Sequence, residues 1–215
     1  LVIQPFRALL QDGAIASPPN HLCLSLVPTQ LQRLLDAEQD FVPWLRSCTA
    51  ILLGGAPAST ALLQTARELQ LPLAPTYGMT ETAAQVATLL PQEFLDGHTN
   101  SGRALPHALI TIRDDGGNPL PPVQTGRISL AAKSLAGGYG DTTFAQPFQS
   151  GDLGYLDEAG YLHVVGRAGI LILSGGEMVL PAELDAAIIQ TGLSQDAVVL
   201  GIPNEPWGEQ AVACI

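Results

Sequence analysis

Residues 76–81, Thr-Tyr-Gly-Met-Thr-Glu, place a flat ring, a bare backbone, a hydroxyl and a carboxylate in the order in which a nucleotide would use them. Tyr77 can cover one face of a purine, because its ring stacks on another flat ring. Gly78 lets the backbone approach a ligand with no Cβ in the way, and Met79 completes the same stretch. Thr80 can reach a phosphate oxygen, and Glu81 can help hold the Mg²⁺ that accompanies ATP. The apolar run Leu71–Ala74 leads in with strand character, and the helix-forming run Glu81–Leu90 leads out, so the motif is expected on a strand-to-helix turn. The same residues also read as a plain strand and turn, with Thr80 capping the helix.

Other residues with usable chemistry follow in a fixed order along the chain. Upstream, Ile51-Leu52-Leu53-Gly54-Gly55-Ala56-Pro57 is an apolar strand ending in a Gly-Gly turn. Its small residues leave room for a ligand, and they equally make a strand-to-helix connection. Downstream, Ser150-Gly151-Asp152-Leu153-Gly154-Tyr155 offers a carboxylate whose two acceptor oxygens suit the two hydroxyls of a ribose. An ordinary Gly-Asp turn is the other reading of Asp152. Arg167 carries a fixed guanidinium fork able to hold a phosphate or ribose region, or simply to form a surface ion pair. Ser174-Gly175-Gly176-Glu177 and Pro181-Ala182-Glu183-Leu184 close the series.

These motifs, in this order, resemble the adenylate-forming superfamily of acyl-CoA synthetases, luciferases and peptide-synthetase adenylation domains, and the resemblance runs over essentially the whole chain. Ser25–Leu35, and the apolar Leu173 before Ser-Gly-Gly-Glu where many members carry Lys, are similar to the o-succinylbenzoate:CoA ligase branch. The resemblance implies a parent enzyme that uses ATP and Mg²⁺ to activate a small carboxylic acid and passes it to CoA through an acyl-adenylate. It implies Thr80, Glu81 and Arg167 as catalytic, with Glu81 on the metal. It also implies Gly54, Gly55, Ala56, Pro57, Tyr77, Gly78, Met79 and Asp152 around the nucleotide and acyl group, and Gly175 and Gly176 beside a channel for the pantetheine arm. For the last two, a tight turn is an equal reading. Another small acyl- or aryl-CoA ligase, a carrier-loading adenylation domain, or a non-catalytic nucleotide-binding fragment stay open as alternatives.

Two departures from the family pattern bear on activity. Gly169 stands where the family usually has a hinge Asp; glycine keeps a wide φ/ψ range while removing any carboxylate lock. The only lysine is Lys133, in a position that resembles neither the phosphate-loop lysine nor the catalytic lysine of the family. A fragment of a ligase is therefore expected, inactive or very weak on its own.

Composition narrows the classes further. A net charge of -11 argues against a nucleic-acid surface, which needs clustered Lys and Arg. No apolar run is long enough for a transmembrane helix, and Leu1–Arg7 lacks the pattern of a secretory signal. The three cysteines, Cys23, Cys48 and Cys214, are far apart with no ligand spacing, which fits reduced thiols in a cytoplasmic protein. His21, His98, His107 and His163 show no metal spacing, and Trp44 and Trp207 are expected to pack.

The elements that must position these groups divide into an α/β and a β-rich stretch. Strands at His21–Val27 and Thr49–Leu53 alternate with helices at Pro28–Glu38 and Ser59–Leu69, a pattern that implies parallel βαβ units. From about residue 101 short strands alternate with turns: Leu109–Arg113, Gly126–Ala131, and a hairpin over Gly154–Val165 around the turn-forming Asp157-Glu158-Ala159-Gly160. A last segment from Ile170 carries a strand, a Gly-rich turn, a helix at Pro181–Ile189 and a strand at Ala197–Ile202. The expected fold class is α/β: a truncated adenylate-forming large domain over 1–167, a parallel βαβ layer plus a β-rich subdomain, followed by the start of a small α/β cap over 168–215.

Overall fold

A computed structural model of the chain describes residues 22–169, 171–179, 181–194 and 197–215. The Leu1–Arg7 start, His21 and Ile170 lie outside the described residues. Two compact units are formed: residues 1–109 with 132–144, and residues 110–131 with 145–215.

The first unit is built on a five-stranded sheet of order β1-β2-β3-β4-β5. Strand β1 (Cys23–Leu26) leads into helix α1 (Pro28–Leu35), where Pro28 sits at the helix start and Gln30 Oε1 accepts the Val27 N–H at 3.0 Å. Proline is suited to that position because its fixed φ matches the helix and its missing N–H is not needed there. Leu31 and Leu34 are fully buried beneath it. A single-turn helix α2 (Val42–Arg46) follows, with Phe41 and Leu45 buried, and then strand β2 (Ala50–Leu53). Helix α3 (Thr60–Glu68) starts at Ser59, whose Oγ accepts the Leu62 N–H at 3.2 Å, an N-cap of the ordinary kind. Strand β3 (Leu73–Met79) pairs parallel with β2, as β2 does with β1, so the expected βαβ units are present.

Beyond Met79 the expected helix over residues 81–90 does not form. A single 3-10 turn (Thr80–Thr82) is followed by strand β4 (Ala84–Thr88), which returns antiparallel to β3. The helix formers Glu81, Ala83, Gln85 and Ala87 are overridden because Val86 and Ala87 are wholly buried between two strands, where tertiary pairing outweighs propensity. The reversal is made at Ala83, which adopts the left-handed conformation with φ 53°. Thr82, 1% exposed, holds it: its Oγ1 accepts the Met79 N–H at 3.1 Å and donates to the Ala84 carbonyl at 2.7 Å. Helix α4 (Pro91–Leu95) then buries Phe94, and β5 (Arg103–Ala104) pairs antiparallel with β4. The sheet is therefore mixed, parallel on one side of β3 and antiparallel on the other.

Strand β6 (Ala108–Arg113) and strand β7 (Gly126–Ala132) begin the second sheet. Residues 132–144 belong again to the first unit and carry a short ribbon, β8 (Gly138–Tyr139) and β9 (Thr142–Thr143). Strand β10 (Phe148–Leu156) and strand β11 (Leu162–Arg167) complete a sheet of order β11-β10-β7-β6, with β10 antiparallel to both neighbours. Its core is Ile112, Ile128, Leu130 and Leu162. The β10–β11 hairpin turns at Asp157, as the turn-forming cluster implies: one carboxylate oxygen accepts the Ala159 and Tyr161 N–H groups at 3.0 and 2.9 Å. The other lies 3.1 Å from His163 Nε2, and the imidazole stacks on Tyr155 with centroids 4.5 Å apart.

A third sheet, of order β13-β12-β15-β14, is made by β12 (Ile172–Ser174), β13 (Glu177–Val179), β14 (Val198–Asn204) and β15 (Gly208–Cys214), with helix α5 (Pro181–Gln190) between β13 and β14 in sequence. Asp185 of α5 accepts the Val199 N–H of β14 at 2.7 Å, tying helix to sheet.

Two outcomes follow from these turns. Thr82→Val keeps the side-chain shape but strands the Met79 N–H and the Ala84 carbonyl, so it should lower unfolding free energy by about 1–3 kcal/mol, with Thr82→Ser losing less; urea unfolding of both variants measures this. Burial would raise the Asp157 pKa, but the hydrogen bonds from Tyr161, His163 and Ala159 outweigh it and hold the carboxyl below its ordinary value. The carboxylate's contribution is thus present above its unfolded pKa of about 3.9 and lost as pH falls through the lower folded value. Thermal melts from pH 5 to pH 2 should show Asp157→Asn with a shallower acid-side decline than the parent chain.

Candidate functional site

The three parallel strands of the first unit end side by side, and the loops that leave them carry the candidate residues. Gly54 follows β2 and donates its N–H to Leu26 of β1 at 3.2 Å. An added Cβ at Gly54 would collide with Thr76 Oγ1. Gly55, with φ 80°, lies beside Val27, 3.2 Å from the position a Cβ would take. The Gly54–Pro57 loop and the Thr76–Glu81 turn, separate in sequence, are thereby brought together at one end of the sheet, with Ala56 and Pro57 exposed. Crevices outside the carboxyl ends of parallel strands are where open α/β sheets bind ligands.

Within the turn, the groups differ in what they have left to offer. Tyr77 is 9% exposed, so most of its ring is committed to the interior. Gly78 has a local reason to be glycine: an added Cβ would collide with the Ala84 carbonyl across a register shift in the β3–β4 ladder. The close approach that makes this position glycine is thus by the neighbouring strand. Met79 is half-buried and gives its N–H to Thr82. The Thr80 side chain is exposed, and its carbonyl accepts the Ala83 N–H at 3.1 Å, so it belongs to a 3-10 turn and caps no α-helix. Glu81 is half-buried; its carbonyl accepts the Ala136 N–H at 2.7 Å. Glu81 is the largest influence raising the Tyr139 phenol above its ordinary pKa.

The second unit holds the remaining candidates. Asp152 of β10 and Arg167 of β11 are direct partners in the antiparallel ladder, which sets Arg167 Nε 4.0 Å from Asp152 Oδ1. Side-chain exposure is 67% for Arg167 and 20% for Asp152. A pair this open is worth little to stability, and it leaves the guanidinium able to meet a solute. The Asp152 backbone is pinned by Ser150, whose Oγ accepts the Asp152 N–H at 3.1 Å and donates to the Ile128 carbonyl at 3.0 Å. Gly151, with φ 80°, accepts the Ala168 N–H at 2.9 Å just past Arg167.

Gly175 and Gly176 form a tight turn with φ 59° and 84°. At Gly175 an added Cβ would lie 2.7 Å from the Trp207 ring, and its N–H donates to the Trp207 carbonyl at 2.8 Å. Trp207 packs over this turn, as expected, yet stays 60% exposed and lines a cavity of about 420 Å³ with Ser174, Asn204, Pro206 and Gln210. At Gly176 a Cβ would meet open space.

Sequence reasoning missed Thr82, which could have been found from a hydroxyl placed just before a chain reversal. All three cysteines are free; burial, then the neighbouring Cys23, pushes the Cys48 thiol up to about 11, so it is a poor nucleophile. Among the described residues no three His, Cys, Asp or Glu side chains gather as a metal site. A lone carboxylate such as Glu81 matches the way Mg²⁺ is held when substrate phosphates supply other ligands. No helix among the described residues is long and apolar enough to cross a membrane.

Several known proteins are similar to this chain. The 2-succinylbenzoate–CoA ligase of Geobacillus kaustophilus (strain HTA426) is 38% identical over 199 residues, which cover 89% of this chain and 40% of that protein. The o-succinylbenzoate CoA synthetase of Bacillus subtilis, solved in complex with its acyl-adenylate intermediate OSB-AMP, superposes with a TM-score of 0.79 at 34% identity, covering 89% of this chain and 40% of the other. The same synthetase solved with ATP and magnesium ion gives a TM-score of 0.78 at 31% identity, covering 96% and 42%. The chain thus spans about 40% of the length of the curated relatives it matches. Residues 20–140, more than half of the sequence, match the family described as AMP-binding enzyme, and the chain belongs to that family.

Proposed function

We propose that these residues are part of an ATP-dependent acid:CoA ligase that works through an acyl-adenylate, with o-succinylbenzoate as its acid. The observation that carries the reading is the meeting of the Gly54–Pro57 loop and the Thr76–Glu81 turn at the ends of parallel strands. The names of the relatives supply the acid and the thiol. In the first half-reaction an oxygen of the acid's carboxylate attacks the α-phosphorus of ATP, the bond to the bridging oxygen breaks, and pyrophosphate leaves. In the second the CoA thiolate attacks the acyl carbon and AMP leaves.

Bringing two anions together is the difficulty, so the protein's part is positioning and charge stabilisation. Thr80, exposed at the tip of the turn, supplies a hydroxyl to a phosphate oxygen. Gly54, Gly55, Ala56 and Pro57 leave room beside it for the adenine and acyl groups, with Tyr77, Gly78 and Met79 forming the adjoining wall. Asp152 accepts the ribose hydroxyls, and Arg167, its ladder partner, holds the ribose or phosphate region. Gly175 and Gly176 border the path of the pantetheine arm. When bound, Mg²⁺ would be held by Glu81 and would neutralise phosphate charge.

In the same reading, residues 1–167 are part of the nucleotide-binding domain and 168–215 the beginning of a cap, with Gly169 at the hinge. The three free cysteines support a reducing, cytoplasmic location. The partners are the small acid, ATP and CoA.

The experiment is AMP release by the protein that carries these residues, with ATP, CoA and a panel of aromatic and aliphatic acids. Release dependent on o-succinylbenzoate is expected; release with other acids but not with this one would overturn the assignment. Asp152→Ala should weaken ATP by about 1.5–3 kcal/mol, or roughly one to two decades, while the KM for the acid changes little. An unchanged ATP dependence in a folded variant would remove Asp152 from the site.

A further inference from the structure

The 3-10 turn at Thr80–Thr82 makes several hydrogen bonds of its own. The Ala83 N–H donates to the Thr80 carbonyl at 3.1 Å, and the Thr82 hydroxyl meets the Met79 N–H and the Ala84 carbonyl at 3.1 and 2.7 Å. The Glu81 carbonyl is met from outside the turn, by the Ala136 N–H at 2.7 Å. A single 3-10 turn has poor hydrogen-bond geometry, so a bond from a distant part of the sequence bears on its form. Ala136 is itself presented between two moorings. On one side the Lys133 N–H donates to the His107 carbonyl at 3.0 Å, and the Leu135 N–H closes back on the Ala132 carbonyl at 3.2 Å. On the other the chain folds into the β8–β9 ribbon, where Gly138 pairs with Thr143 and Tyr139 with Thr142. The Phe144 N–H donates to the Gly137 carbonyl at 2.9 Å, and the Phe144 and Tyr139 rings meet edge-on with centroids 5.3 Å apart. An added Cβ at Gly138 would collide with the Thr142 carbonyl, so the ribbon has little slack. Residues 132–144 belong to the first unit, as the turn does.

A bonded carbonyl restrains the peptide unit that carries it, and the Glu81 carbonyl belongs to the peptide joining Glu81 to Thr82. Holding that peptide holds the ψ angle of Glu81, and with it the stretch of backbone from which the Thr80 and Glu81 side chains leave. The Ala136 side chain is exposed, so what this residue contributes to the turn is its backbone N–H. That N–H is ordered in advance by the moorings on either side of it. We propose that residues 132–144 are a strap and that Ala136 is its positioning residue, holding the Thr80–Glu81 turn in one form for the nucleotide phosphates and their cation. This rests on the reading of Thr80 and Glu81 as the groups that meet them. Groups fixed before a ligand arrives lose less freedom when it binds and reacts.

The test uses Ala136→Pro, which removes the N–H, and Ala136→Ser, which keeps it. Gly138→Ala strains the ribbon while leaving the N–H in place, and Glu81→Gln probes the carboxylate itself. Each is made in the protein that carries these residues and checked for fold by circular dichroism. In the parent, free of nucleotide and metal, the Ala136 amide should exchange its hydrogen about tenfold or more slower than an unstructured peptide. Exchange at the unstructured rate would mean that the bond does not form in solution, and would overturn the inference. In pyrophosphate exchange, Ala136→Pro should raise the half-saturating free Mg²⁺ by about threefold to tenfold, the range of one hydrogen bond, with the KM for the acid unchanged. Ala136→Ser should restore the parent value. Gly138→Ala should speed exchange at Ala136 and move the Mg²⁺ dependence in the same direction, and it carries the test if the proline variant does not fold. If Glu81→Gln shifts the Mg²⁺ dependence but a folded Ala136→Pro does not, or Gly138→Ala frees the amide without moving it, this inference alone falls. If Glu81→Gln does not shift it either, the metal role of Glu81 falls with it.

Discussion

The reversal of the chain at Ala83, held by the buried Thr82 hydroxyl, is the constraint on which the rest of the first unit depends. It stops β3 from running on into a helix and sends β4 back along it, so that Val86 and Ala87 fill the sheet interior. With the turn fixed there, Thr80 is held at the tip, and Glu81 is close enough for the 132–144 segment to bond its backbone. A continuous helix from residue 81 would point the same side chains along a different axis and leave β5 without its partner. One hydroxyl can carry this much because it is itself buried, where an unmet hydrogen bond costs most.

The glycines have two explanations that the sequence cannot separate. Gly54 and Gly78 suit a ligand that must come close, yet each is already required by a protein neighbour, Thr76 in one case and Ala84 in the other. Gly175 is required by Trp207 and by its positive φ. These requirements are compatible with a binding role and shape it: the loops are packed tightly enough on their own neighbours to hold a fixed form before anything binds. Preorganisation of this kind is what a site needs when its work is positioning.

Much of the scaffold was legible because punctuation residues act locally. Pro28 marks the start of α1 by its fixed φ, while Ser59 marks the start of α3 and Asp157 and Gly160 the β10–β11 turn through bonds within a few residues. The helix expected after Glu81 failed because burial between strands, a non-local effect, overrode Ala and Glu propensity. Helices α2 and α4, of 5 residues each, are too short to show a period, and β15 alternates too weakly to stand out. In the site, the residue types of Asp152 and Arg167 were readable, but their pairing is a matter of strand register. Thr82 went unread because its value lies in a chain reversal that only the fold supplies.

The central claim is that these residues hold a nucleotide joined to an acid. Its most direct measurement is calorimetric binding of a non-hydrolysable mimic of the o-succinylbenzoyl-adenylate to the protein that carries them. The account predicts that the mimic binds far more tightly than AMP or the acid alone, and that Asp152→Ala weakens it. A mimic that binds no better than AMP, or that binds equally well to Asp152→Ala, would contradict it.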